Sequence, residues 1–236
     1  MYDQLTGKLT AVHCTVKWLS VFTKTLLHSD LFVRMECPLG VRNQKKERKT
    51  SGKNSRDTIV AAAVRVLTDA DRTFDARTVA KEAGKSLGTL SFHFREGGLR
   101  ELRGESARIG FERLLEALSD ALIGGQTPLD GLRLLGRAYV RFAADNRRLH
   151  QIMYGEPWGE AVEPVRSDIR ELIRSHIATC QEAGVVRAQS PEKFSRVGWA
   201  FMHGVAVLYL DGQVPLDDLD SLVDEAIDVL LEGIAA

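Results

Sequence analysis

The sequence predicts an all-α protein, and three features of the chain point to that class. From Ile59 onward apolar residues recur at helical spacing, and no stretch shows the apolar–polar alternation of a half-buried strand. Gly84, Gly124-Gly125, Pro191 and Pro215 stand where such helices would stop or start. The pattern divides into an extension and basic arm over residues 1–54, a three-helix helix-turn-helix unit over 55–98, and a larger helical unit over 99–236.

In the small unit, Ile59, Ala62, Ala63, Val66 and Leu67 form one face of a first helix, with Ser55 placed as its N-cap. Phe74 lies in the following loop, where an aromatic plugs a small core. A short second helix over about Ala76–Ala83 turns Val79, Ala80 and Ala83 inward and ends at Gly84, where a left-handed residue is needed. Ser86 then caps a third helix over about Leu87–Phe94, whose Leu90 and Phe94 point to the core. The larger unit opens with a helix over about Leu99–Leu122, followed by "DGLRLLGRAYVRFAADN" and "RRLHQIMYG", with a break at Pro157. Val165, Ile169, Leu172, Ile173, Ile177 and Cys180 stripe a helix over Glu163–Ala183. "PEKFSRVGWAFMHGVAVLYL" is apolar almost all round, as in a helix buried between others or against another subunit. The last helix carries Leu219, Leu222, Val223, Ala226, Ile227, Leu230 and Leu231 on one side. Asp217, Asp218 and Asp220 crowd its first turn, where the helix dipole favours acids.

Lys+Arg and Asp+Glu each number 32, so the net charge is zero, but the charges are polarised along the chain. Arg42 to Arg56 holds seven Lys or Arg against the single Glu47; from Asp211 onward there are eight acids and no base. A basic arm suits a polyanion, and an acidic tail keeps the opposite end away from one. Cys14, Cys37 and Cys180 form no C-x-x-C pair, so neither a disulfide framework nor a zinc knuckle is indicated, and a reducing cytoplasmic setting is expected. No apolar run reaches a membrane span, no metal-ligand spacing occurs, and no cofactor is expected. Residues 1–34 read as a poorly ordered extension, with Met35 as the start of the working chain.

Gly84-Lys85-Ser86-Leu87-Gly88 spells G-x-S-x-G, the nucleophile elbow of serine hydrolases. An elbow needs a buried strand to deliver its serine, and here "RTVAKEAG" is a helix ending in a helix stop. The helix-turn-helix reading explains more positions. Ala80 lets two helices cross closely, Gly84 turns the chain, and Leu90 packs the third helix down. Leu87, Gly88, Thr89, Ser91, Phe92 and His93 then face outward, able to enter a major groove.

The segment "TIVAAAVRVLTDADRTFDARTVAKEAGKSLGTLSFHFREGGLREL" resembles the N-terminal domain of TetR-type transcriptional regulators, through Ala83-Gly84, Ser86, Gly88-Thr89-Leu90 and His93-Phe94. Trp199 with His203-Gly204, preceded by "RAYVRFAADNRRLHQIMYG", resembles a TetR C-terminal class named for a tryptophan followed by His-Gly. Two positions depart from the family: Ser91 replaces its tyrosine and Gly97 its lysine, with Arg95, Lys85 and the basic arm as substitutes. The resemblance implies a homodimeric, ligand-responsive regulator, a repressor that binds a palindromic double-stranded operator and is released by a small apolar effector. DNA contact is expected from Lys85, Ser86, Leu87, Gly88, Thr89, Ser91, Phe92, His93 and Arg95, with His93 on phosphate. The family's ligand pocket among the middle helices makes Phe142, Met153, Tyr154, Trp158, His176, Trp199 and His203 the expected pocket residues. His176 and Tyr154 are the expected polar anchors. The last two helices should form an intermolecular four-helix bundle, with Val205, Leu208, Leu222, Ile227 and Leu230 at the seam. The competing classes are a hydrolase acting through Ser86 and an interaction protein that keeps the fold without binding DNA.

Overall fold

The computed structural model describes residues 44–235 apart from 70, 188 and 189; the expectations for residues 1–34 and for the start of the basic arm lie outside them. Among the described residues nine α-helices follow one another: α1 Gln44–Thr68, α2 Ala76–Glu82, α3 Leu87–His93, α4 Gly98–Ile123, α5 Pro128–Asp145, α6 Arg147–Gly155, α7 Glu163–Glu182, α8 Pro191–Leu210 and α9 Leu219–Ala235. Among the described residues there is no strand. Two expectations are corrected. Helix α1 already runs through Ser55, which is therefore inside the helix and not its cap. Asp217 and Asp218 lie in a separate 3₁₀ turn, Leu216–Asp218, because Pro215 enters extended and only Asp220 falls in the first turn of α9.

Helices α1–α3 close around Ile59, Ala62, Ala63, Val66, Val79, Ala80, Leu90 and Phe94, all buried, and Leu102 of α4 seals that core from the far side. The local signals in the sequence set the angles. Asp75 caps α2 by accepting from the Thr78 N–H at 2.8 Å. At the other end Gly84 sits at φ +61, so that its own N–H reaches Lys81 O at 3.1 Å and the Lys85 N–H reaches Ala80 O at 2.9 Å. This paired closure satisfies the orphan carbonyls of α2 and needs a residue without a Cβ at the left-handed position. Ser86 follows as the N-cap of α3, its Oγ accepting from the Thr89 N–H at 3.0 Å.

Helix α4 belongs to both halves of the fold. Its Leu102 completes the small core, while Ala107, Phe111, Leu114 and Leu118 enter the larger one. Helix α5 starts in a capping box, with Thr127 and Asp130 each accepting from the other's N–H at 3.1 Å and Pro128 at the first helical position. Helix α6 lies close on α4 at Gly110, where an added Cβ would stand 2.6 Å from Met153 Sδ and 3.2 Å from Leu149 Cγ. Cys180, Ile177, Val186 and Phe194 form a smaller cluster that joins α7 to α8.

Helices α5 and α9 are locked by a ladder of ion pairs spaced at helical repeats: Arg133 with Asp228, Arg137 with Asp224 and Arg141 with Asp220. Three of the eight acids of the C-terminal stretch are thus paired inside the protomer. Arg137 and Asp224 are partly exposed, 37% and 26%, so each rung is worth no more than about 1 kcal/mol. Arg137→Glu should therefore lower the urea midpoint by an amount equivalent to about 1 kcal/mol, and Asp224→Arg in the same chain should recover most of it. Lack of recovery in the double variant would show that the rungs do not interact.

Candidate functional site

The first surface is the outer face of α3. Leu90 and Phe94 anchor the helix, and the residues between them turn outward: Leu87, Gly88 and Ser91 are exposed, and Thr89 and His93 are half-buried. Phe92 is 60% exposed, so it is not part of the small core. The Arg95 guanidinium lies 4.5 Å from the Phe92 ring centroid, and the His93 ring meets the same aromatic edge-on at 5.3 Å. Arg95 is exposed and Lys85 half-buried, each at an end of the helix. The Ser86 hydroxyl is committed to the cap and lies 2.9 Å from Thr89 Oγ1. No strand precedes it and no histidine hydrogen-bonds to it among the described residues, which removes the geometry an elbow requires. At Gly97 an added Cβ would come within 2.5 Å of Glu101 Cβ, so this loop conformation has no room for a lysine there.

The second site is a cavity in the larger unit, in two connected chambers. The inner one is walled by apolar side chains including Leu118, Leu135, Ile177, Phe194 and Met202. The outer one is lined by Phe111, Leu114, Tyr154 and Ile169 together with Arg166, Arg170 and Arg196. Tyr139, Ile173, Ser195 and Trp199 line both.

At the waist stands a polar aromatic cluster inside an apolar wall. Tyr139 Oη lies 2.8 Å from His203 Nδ1 and 3.3 Å from His150 Nε2. Its hydroxyl can donate to one imidazole and accept from the other, so two neutral histidines satisfy it completely. The Tyr154 ring lies 4.8 Å from both imidazoles, and Trp199 stacks on His203 at 5.2 Å. Burial pushes the His150 pKa down to about 4, helped by the neighbouring His203, and lowers His203 as well. Burial also raises both tyrosines, which stay protonated.

Of the expected pocket residues, Tyr154 and Trp199 line the cavity, and His203 supports it through Tyr139. The other four are elsewhere. His176 hydrogen-bonds through Nε2 to Pro128 O at 2.9 Å and packs on Gly131, as a satisfied histidine that seats α7 on the start of α5. Phe142 and Met153 are core side chains, the latter filling the space over Gly110. Trp158 lies against Gly104 and donates from Nε1 to Ile152 O at 2.7 Å. Tyr139, His150, Arg166, Arg170 and Ser195 were not anticipated. Tyr139 and His150 belong to "RAYVRFAADNRRLH", where an 11-residue spacing across a helix break carries no contact signal.

The expected seam residues divide in the same way. Val205, Ile227 and Leu230 are buried in the protomer's own core, because their helix faces are taken by α5 and by each other. Leu208 is 47% exposed and Leu222 half-buried. Exposed beside them are Val197 and Phe201 of α8 and Val229 of α9. On α8 the residues Val197, Phe201 and Leu208 share one outward face, on a helix that the sequence pattern places between others or against another subunit.

Two helices connect these sites. Arg148, on α6, donates from Nη1 to Asp69 O at 2.8 Å, to Val66 O at 3.4 Å and to Arg72 O. A cation therefore occupies the C-terminal end of α1, where the last carbonyls and the helix dipole favour one. His150 and Tyr154 project from the same helix to the cavity cluster. Arg56 ties α1 to α4 through Glu101 and Glu105, at 3.1 and 2.9 Å.

Residues 132–230 match the family model described as "Tetracyclin repressor-like, C-terminal domain". Among solved structures, a protein of unknown function from Rhodococcus sp. RHA1 is 28% identical, with a TM-score of 0.66 over 77% of this chain and 96% of that one. A putative TetR-family transcriptional regulator from Rhodococcus sp. is 21% identical, with a TM-score of 0.58 over 76% of this chain and 99% of that one. The fatty acid degradation regulator FadR from Bacillus halodurans is 16% identical, with a TM-score of 0.59 over 75% and 98%. Comparison with curated protein sequences finds no match. None of the described helices is long and apolar enough to cross a membrane.

The neutral His150 makes the fold acid-sensitive. Below pH 6.5 the unfolded chain takes up a proton that the folded chain refuses until about 4. The stability this imidazole contributes is therefore complete above 6.5 and lost across that window. His150→Asn should flatten the fall in urea midpoint between pH 7 and pH 4 by an amount worth about 2–3 kcal/mol; equal slopes in the two proteins would place the acid sensitivity elsewhere. Residues 132–230 thus match a tetracyclin repressor-like C-terminal domain, and the described residues share the all-helical fold of TetR-family transcriptional regulators.

Proposed function

We propose that the protein is a homodimeric, ligand-responsive DNA-binding regulator, acting as a repressor in the cytoplasm. Its α3 would enter the major groove of a palindromic operator, and a small effector in the helical cavity would release it. The observation that carries this reading is Arg148: one short helix holds the end of α1 by its guanidinium and the cavity by His150 and Tyr154. An effector that prefers a shifted α6 lowers operator affinity only by its differential affinity for the two states.

On α3, Thr89, Ser91 and Phe92 are the side chains for base edges, with Gly88 allowing close approach and Phe92 suited to a thymine methyl. Lys85, Arg95 and His93 lie where phosphates would run, and the cap residues Ser86 and Leu87 at the start of α3 approach the backbone. Residues 55–98 would act as the DNA-binding unit and 99–236 as the effector and dimer unit. For the dimer, the exposed Val197, Phe201 and Leu208 of α8, with Leu222 and Val229 of α9, form an apolar face fit for a second copy.

The reading is tested with duplexes from the DNA flanking the protein's own gene. A retarded duplex containing a palindrome, with affinity falling steeply as salt rises, is expected; uniform weak retention of every sequence would favour an interaction protein instead. Arg148→Gln should leave effector binding unchanged and reduce the effector's influence on operator affinity by several-fold, within the usual 5–150-fold range of such couplings. Undiminished release in that variant would locate the coupling outside α6. Phe201→Glu should give a folded monomer in sedimentation, since its side chain is 42% exposed in the protomer. A Phe201→Glu dimer would move the interface to another face.

A further inference from the structure

The cavity's chemistry is split along its length. No acidic side chain lines either chamber, and the inner chamber is apolar apart from Tyr139, Ser195 and Trp199, which it shares with the outer one. The outer chamber carries three guanidinium groups, two on successive turns of α7 and one on α8. Arg170 is engaged by Glu163. Arg166 lies 5.7 Å from the centroid of the Phe111 ring, and neither it nor Arg196 makes an ion pair among the described residues. The charge of Arg166 also reaches the Tyr154 phenol, opposing the upward push of burial. Eleven of the nineteen arginines with described side chains meet carboxylates, among them Arg56, Arg65, Arg72, Arg108, Arg133, Arg137 and Arg141. Two unpaired guanidinium groups on the lining of a largely apolar cavity, with a phenol beside one of them, form a place for an anion.

We propose that the cavity binds an acyl amphiphile. Its apolar chain fills the inner chamber through the waist at Tyr139 and Trp199, and its anionic head sits between Arg166 and Arg196. This rests on the effector-binding reading above and names the class of effector. A neutral apolar ligand would leave the two cations without a function, and a cationic one would meet like charge at the mouth. The anionic head can be a free carboxylate or the phosphate-bearing part of a coenzyme A thioester; both present oxygens suited to guanidinium groups.

Calorimetry on the full chain, without DNA, compares decanoate, decanol and decanoyl coenzyme A in the wild type and in Arg166→Gln/Arg196→Gln. The charge-assisted contacts should make decanoate bind about 10- to 100-fold tighter than decanol. The double variant should lose that preference while binding decanol as before. Decanoyl coenzyme A binding more tightly than decanoate through the same arginines would assign the head to the thioester source, and the reverse order to the free acid. Decanol binding as well as both anions, or an anion preference that survives the double substitution, would overturn the proposal. Because binding is read without operator, a ligand that binds as described but leaves DNA affinity unchanged would sink the regulator reading and keep this one.

Discussion

The contact between Arg148 and the end of α1 sets what the two halves of this chain can do to one another. The final carbonyls of a helix have no partner within it, and leaving such groups unpaired in a partly buried place costs roughly 1–3 kcal/mol each. Val66 O, Asp69 O and Arg72 O are all met by one guanidinium that belongs to the larger unit. The smaller unit is therefore finished by a residue it does not contain. Helix α6, which supplies that residue, is held on its other sides by the close seat on Gly110 and by the cluster of Tyr139, His150 and His203. A movement of α6 would therefore disturb the α1 contact and the cavity cluster together.

The cluster at the waist explains why such a movement can be small and still matter. Three hydrogen-bonding side chains are satisfied by one another inside an apolar wall, with no buried polar side-chain atom left over among the described residues. Its parts cannot separate without leaving a phenol or an imidazole unpaired where water is scarce, so the arrangement favours discrete states over gradual deformation. Under the proposed function, a ligand that offered a replacement partner, or that displaced Tyr154 from its place against the imidazoles, would select between those states.

Much of the fold was readable because local rules were obeyed. Gly84 and Ser86 mark helix ends by signals that act within a few residues, and the spacing of Leu90 and Phe94 showed which side of α3 faces out. The candidate pocket was much less legible. His176, Phe142 and Met153 have the residue types of a ligand site and are used for packing, whereas Tyr139 and His150 meet only because α5 breaks at Asn146 and α6 starts at a new angle. Nor could the apolar surplus of α8 be divided between core and surface from spacing alone. Val205 and Leu208 are three residues apart, one buried at 7% and the other exposed at 47%, and only the position of α5 and α9 decides which.

The central claim is that cavity and α3 share one equilibrium through α6, and linkage makes that claim measurable in a single titration pair. Effector affinity is measured by calorimetry with and without saturating operator duplex, and operator affinity with and without saturating effector. The account predicts that each ligand weakens the other by one and the same factor, since both factors are the same coupling free energy. An effector that binds the cavity equally well to free and operator-bound protein would contradict it.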